Sequence, residues 1–329
     1  MGDRTVGRGD ASRSRMLARL FAWANFGVLL VFVLNNFLIG IAGWPGAALS
    51  GTAGGMLPIL QFLFYPVALA LAAAYVLRSP STGLRVDADR LTAINAWFIR
   101  WAFWMVVLVG LADAAISFMR IEGLLGQIVG SAWESDLGRS HLRGKYVHIP
   151  LILVAFLIAS VTRSLSFIWL ALLIVAAEML IVISRFIFSY EQAFMSDLVR
   201  FWYAALFLFA SAYTLIEEGH VRVDVFYAAL SSRTKGMVNA IGTLLLGMLF
   251  CWTILLIGMG SKTSIINSPM FSFETTQSSF GMYVKYLMAA FLGIFAISMM
   301  IQFCGYLLSA VADWLDDPGH VDHQAAQAG

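Results

Sequence analysis

Two acidic residues within apolar stretches could carry chemistry inside a membrane. Glu178 lies in the apolar run 165–188, and Asp113 lies in the run 96–119. An ionisable side chain in a bilayer is costly unless it is paired, so each of these acids needs a partner. A proton or ion relay requires several such groups along one pathway, and two isolated acids on different segments do not form one. We therefore interpret both as structural groups in contacts between helices or subunits, although Asp113 could instead reach the outer interface.

A polar segment between two apolar runs, residues 217–235, predicts a short amphipathic helix. One apolar stripe has the i, i+3, i+4, i+7 spacing of a helix face, and its members are Val223, Phe226, Tyr227 and Leu230. Such a helix lies in the headgroup plane with its aromatic rings at the boundary, although an ordinary amphipathic connector would show the same pattern. Charged neighbours could form an interface clip, pairing with each other or with a partner subunit: Glu217, Glu218 and Arg222. His220 beside two carboxylates could respond to pH.

The remaining candidates do not assemble into a catalytic, cofactor or metal site. Cys251 and Cys304 lie in apolar runs, and neither has a Cys or His at ligand spacing. A membrane-embedded enzyme needs a His cluster, a Cys–His pair or paired carboxylates, yet three of the five histidines fall in predicted loops or the tail. A self-contained carrier or channel needs converging polar groups or paired Gly/Pro breaks in corresponding segments. We predict a non-catalytic protein without cofactors, and a carrier or channel is the alternative.

These residues stand in a sequence with the composition of a membrane protein. Hydrophobic residues make up 60% and charged residues 12%, against roughly a quarter charged in a soluble chain. The mean hydropathy is +0.82, and the net charge of +2 gives no indication of nucleic acid. Runs of about 20 apolar residues can each span a bilayer, and their amides must be paired within a helix. We predict an all-α, polytopic membrane helical bundle of about eight transmembrane helices, at 20–42, 57–77, 96–119, 147–161, 165–188, 198–216, 237–259 and 282–311.

The distribution of Lys and Arg predicts the orientation. With the N-terminus in the cytoplasm, 13 basic residues fall inside and 8 outside, which is the bias expected of a protein in the bacterial inner membrane. Both termini are then cytoplasmic. The basic stretch 139–145 falls on the outer side and runs against this assignment.

The most specific pattern consists of three stretches in the second half of the chain. They read E-M-L-I-V-I-S-R-F-I-F, F-M-S-D-L-V-R-F-W-Y and E-E-G-H-V-R-V-D-V-F-Y. Together they resemble the small permease subunit of TRAP (tripartite ATP-independent periplasmic) transporters. Arg185-Phe186 replaces the usual Arg-Tyr, and Phe194 and Asp197 stand where Trp and Glu are typical. The motif and interface residues taken from this resemblance are Glu178, Arg185, Asp197, Trp202, Glu217, Glu218, Gly219, His220, Arg222, Asp224, Phe226 and Tyr227.

The resemblance implies a function and a set of partners. The family's small subunit pairs with and scaffolds a large permease subunit, which carries a small organic acid with sodium. A periplasmic solute-binding protein delivers the solute, and membrane lipids surround both subunits. The resemblance covers the four spans of 164–315, so residues 20–163 would be an N-terminal addition between a basic cytoplasmic segment, 1–19, and a disordered tail, 316–329. A shared Arg-Val-Asp at 85–87 and 222–224 leaves open whether the two halves are a divergent repeat or unrelated helices.

Overall fold

The computed structural model of the chain describes residues 3–48, 55–163, 167–216, 227, 229–275 and 281–317. Within these ranges it is helical without strands, and eight helices are long and apolar enough to cross a membrane. The predicted all-α, polytopic bundle is thereby confirmed. The long helices are α1 (Asp3–Gly40), α2 (Leu57–Arg78), α3 (Leu84–Ile121), α6 (Ser140–Val161), α7 (Phe167–Phe188), α8 (Ala193–Ile216), α9 (Ser232–Met259) and α11 (Lys285–Trp314); the short ones are α4 (Leu125–Val129), α5 (Ser131–Leu137) and α10 (Asn267–Phe271).

Three helices begin well before the apolar runs that predicted them. Helix α1 begins at Asp3 instead of near residue 20, α3 at Leu84 instead of 96, and α6 at Ser140 instead of 147. The added turns contain charged residues, and several of these are paired inside the protein. Hydropathy marks only the apolar part of a helix, so it missed polar turns whose side chains have partners within the fold.

Two helices each contain one wider, π-type turn. These turns are Gly144–His148 in α6 and Thr243–Met248 in α9. Such turns are rare and often lie near functional sites. In both turns a glycine packs directly against an aromatic ring. A Cβ atom on Gly144 would overlap the Phe273 ring, and one on Gly247 would come too close to the Phe303 ring. The small residue lets the ring pack directly on the helix backbone.

The chain forms two compact units. Unit 1 contains Met1–Asn95, Gly219–Thr253 and Met299–Gly329. Its interior joins early helices to late ones through polar side chains: Asn95 Nδ2 donates to Gln302 Oε1 at 3.1 Å, and Trp252 Nε1 donates to Asn25 Oδ1 at 3.0 Å. At its charged end, Arg19 Nε contacts Asp87 Oδ2 at 2.7 Å with both side chains buried.

Unit 2 contains Ala96–Glu218 and Ile254–Ser298. Helices α8 and α11 meet there around fully buried aromatic rings, with the Phe201 and Phe291 centroids 5.0 Å apart. Both units combine residues from before and after position 164. The division into an added region, 20–163, and a family core, 164–315, remains a prediction.

Candidate functional site

A buried polar cluster in unit 2 is centred on Asp113. Its Oδ1 lies 2.9 Å from Arg143 Nη1 and 3.0 Å from His148 Nε2, and all three side chains are completely buried. Its Oδ2 accepts a hydrogen bond of 2.7 Å from the backbone amide of Tyr283. Asp113 is therefore enclosed by the protein itself. The structure supplies the buried partners that an acid in an apolar helix requires.

A second layer of contacts fixes the two basic partners of Asp113. Arg143 Nε donates to the carbonyl oxygen of Leu137 at 2.8 Å, and the guanidinium lies 4.1 Å above the Tyr283 ring. His148 Nδ1 lies 2.7 Å from the Tyr286 hydroxyl. Both ring nitrogens of His148 therefore have a polar partner within hydrogen-bond distance, Asp113 at Nε2 and Tyr286 at Nδ1. The cluster is thus almost fully hydrogen-bonded.

Asp197 complements Asp113 at the start of helix α11. Its Oδ2 accepts a hydrogen bond of 3.0 Å from the amide of Met282, the residue before Tyr283. Amides that precede or open a helix lack partners within it, and negative charge is favourable at that end. Two buried carboxylates, one from α3 and one from α8, therefore accept hydrogen bonds from the backbone just before the last long helix.

This arrangement is suited to holding helices together. The charges are paired, the side chains are shut away from solvent, and the described ranges contain no group of three His, Cys, Asp or Glu residues that could hold a metal ion. Sequence analysis did not connect either basic partner to Asp113: Arg143 lies in the stretch 139–145, which was placed on the outer side, and His148 lies in the predicted span 147–161. The available signal was the acid itself, since a buried Asp113 required a nearby cation.

Trp202, one of the motif residues, lies in the interior of unit 2. Its Nε1 donates to the carbonyl oxygen of Val106 at 3.3 Å, and its indole packs so closely on Gly110 that a side chain there would overlap the ring. Trp202 and Asp197 are both buried. Two motif residues on α8 thus pack this helix against α3 and against the segment that leads into α11.

Glu178 and Arg185 lie on α7 and are exposed, in contrast to Asp197 and Trp202. Arg185 Nε is 3.3 Å from Glu191 Oε2, beyond the end of the helix. Glu178 has no hydrogen bond or ion pair with any residue that the structure describes. The two motif residues share a face without contacting each other.

The predicted interface clip and most of the predicted amphipathic helix lie outside the described residues, namely Glu217, Glu218, Gly219, His220, Arg222, Asp224 and Phe226. Tyr227 is described, and its hydroxyl accepts a hydrogen bond of 2.8 Å from Asn239 Nδ2. The Lys235 amine lies 5.4 Å from the Tyr227 ring centroid. Ser231 caps helix α9, accepting a hydrogen bond from the amide of Thr234. The downstream end of the polar segment is therefore attached to α9.

One known family matches part of the second half of the chain. The family described as "Tripartite ATP-independent periplasmic transporters, DctQ component" matches residues 172–313, which extend from α7 into α11. Neither the curated proteins nor the solved structures include a match to the chain. The resemblance inferred from the three sequence stretches is confirmed, and the helices that precede the matched region are consistent with an enlarged member of the family.

Proposed function

We propose that this chain, with its DctQ region at residues 172–313, is the small, non-catalytic membrane subunit of a sodium-coupled TRAP transporter. It pairs with and scaffolds the large permease subunit, which moves a small organic acid delivered by a periplasmic solute-binding protein. The chain crosses the inner membrane several times, with both termini in the cytoplasm. The family match is the observation that carries this proposal.

The distribution of charge supports a scaffold more than a carrier. Asp87 and Asp113 are buried acids of the long helices, and each has a buried arginine partner. A carrier needs polar groups that can exchange partners with a solute or ion, typically at interrupted helices near the bilayer midplane. In the described part of the chain, these acids are instead fixed by partners within the fold.

Reconstitution into proteoliposomes tests the division of labour. We expect no sodium-driven uptake of organic acids by this chain alone, and none by the large subunit with the binding protein when this chain is omitted. All three proteins together should restore uptake. Solute identity can be screened with radiolabelled carboxylates, and a sodium gradient can be compared with a matched potassium gradient.

Two outcomes would contradict the proposal. Uptake by this chain alone would favour the alternative of a self-contained carrier or channel. Undiminished uptake by the large subunit and binding protein without this chain would show that no scaffold is needed.

A further inference from the structure

Helix α7 leaves most of its surface uncovered by the other residues that the structure describes. Of residues 168–188, only Leu170 and Ile174 are buried, and most of the large apolar side chains elsewhere on the helix are exposed. Exposed apolar side chains alone do not indicate a protein partner, because lipid tails are as apolar as leucine and cover them equally well. The informative residue on this surface is the polar one.

Glu178 lies at the centre of the span. The apolar helix runs from Ile168 to Phe188, with ten residues on either side of Glu178. At 1.5 Å per residue the carboxyl group is about 15 Å from each end, near the middle of a hydrocarbon core about 30 Å thick. From that depth a glutamate side chain is too short to reach either headgroup region. Lipid alone is therefore an unfavourable environment for this face of the helix.

The basic residue of the same helix does not offset the free-energy cost of placing the Glu178 carboxyl group in lipid. Arg185 is seven residues away, about 10 Å along the axis, and it pairs with Glu191 at 3.3 Å. Other acids of the long helices, such as Asp87 and Asp113, have buried arginines beside them. Glu178 differs from them because it is exposed and has no such partner among the described residues.

We propose that the α7 face around Glu178 docks against a transmembrane helix of the large permease subunit, and that this helix presents an arginine or lysine to Glu178 near the bilayer midplane. This docking proposal rests on the proposed function and specifies where the small subunit contacts the large one. Charge complementarity is the argument, because a carboxylate shut away from water is stabilised only by a closely placed cation or equivalent donors. Ala171, two turns before Glu178 on the same face, is small enough to allow a close approach of the partner helix.

Affinity measurements in nanodiscs test the pairing, with the large subunit that restores uptake in the reconstitution as the probe. Glu178→Gln should raise the Kd about a hundredfold, the loss expected when one member of a desolvated charge pair is neutralised. Glu178→Lys should weaken binding further by opposing two cations. Glu191→Gln is the matched control, since it makes the same chemical change in an exposed ion pair and should alter the Kd less than about fivefold.

Thermal unfolding of the isolated chain separates docking from folding. Because Glu178 contacts no charged partner in the described fold, the Tm of Glu178→Gln without the large subunit should be unchanged or higher. A lower Tm would show that Glu178 already has a partner within this chain and would overturn the proposal.

The remaining outcomes each decide a separate point. If the unaltered chain does not bind the large subunit, the proposed function fails and the docking fails with it. If the unaltered chain binds and Glu178→Gln binds equally well, only the charge pairing is overturned. Disulfide cross-linking between two copies of a Val182→Cys variant in the presence of the large subunit would assign the face to self-association instead.

Discussion

Neutralising Asp113 should destabilise the protein strongly. Asp113→Asn keeps the size of the side chain and an oxygen for the Tyr283 amide, but it leaves Arg143 without a counter-charge. Arginine cannot lose its proton in a protein, so a full positive charge would remain buried against a carbonyl group, a hydroxyl group and an aromatic ring. Breaking a buried ion pair in this way costs about 3–5 kcal/mol.

The assay is thermal unfolding followed by intrinsic tryptophan fluorescence. At about 2 °C per kcal/mol for a chain of this size, the cost corresponds to a fall in Tm of about 6–10 °C. Glu191→Gln removes one member of an exposed ion pair and should cost at most about 1 kcal/mol. Replacing both Asp113 and Arg143 by leucine should recover part of the loss, because no unpaired charge then remains.

Equal Tm values for Asp113→Asn and Glu191→Gln would refute the reasoning. They would mean that Arg143 finds another acceptor or reaches water, and that the cluster is not the closed ion pair described above. A double variant less stable than Asp113→Asn would likewise show that hydrogen bonding to Leu137 and Tyr283 matters more than the paired charges.

Three further predictions follow from the fold. In a cysteine-free background, a cysteine at exposed Ser268 should react with an impermeant thiol reagent on spheroplasts while one at exposed Ser81 should not, and the reverse would overturn the predicted orientation. Gly247→Ala places a Cβ 2.8 Å from Phe303 ring atoms and should lower the Tm, whereas adding Phe303→Leu should restore it; no recovery would exclude a steric cause. Asp197→Asn retains an acceptor for the Met282 amide and should lower the Tm less than Asp113→Asn, and an equal fall would show that the Asp197 charge is equally important.

The number of spans could be predicted from sequence because an apolar run of bilayer length has few alternatives to a helix. The polar starts of helices could not, since whether Arg19 or Arg143 continues a helix depends on partners far away in sequence. Asp87 is 68 residues from Arg19, and Asp113 is 30 residues from Arg143. A window of local composition does not contain that information.

The candidate site also combines features that could be predicted from the sequence with contacts that could not. The sequence indicated that Asp113 and Glu178 each need a partner, and the cost of an isolated acid in lipid was sufficient reason. It could not show that the partner of Asp113 is inside the chain, or that Glu178 has none among the described residues. Asp197 and Trp202 were chosen by resemblance, and only the three-dimensional contacts place them in the interior of unit 2.

The contacts of Asp113 and Asp197 have a consequence for biosynthesis. Asp113 is made 30 residues before its ion-pair partner Arg143, but the Tyr283 amide follows 170 residues later. The amide of Met282, which donates to Asp197, is synthesised 85 residues after Asp197. The nascent chain therefore carries at least one incompletely bonded carboxylate from residue 113 to residue 283. The arrival of residues 282–283 completes both sites at once, so a chain that ends before them would expose an incomplete polar interior to membrane proteases.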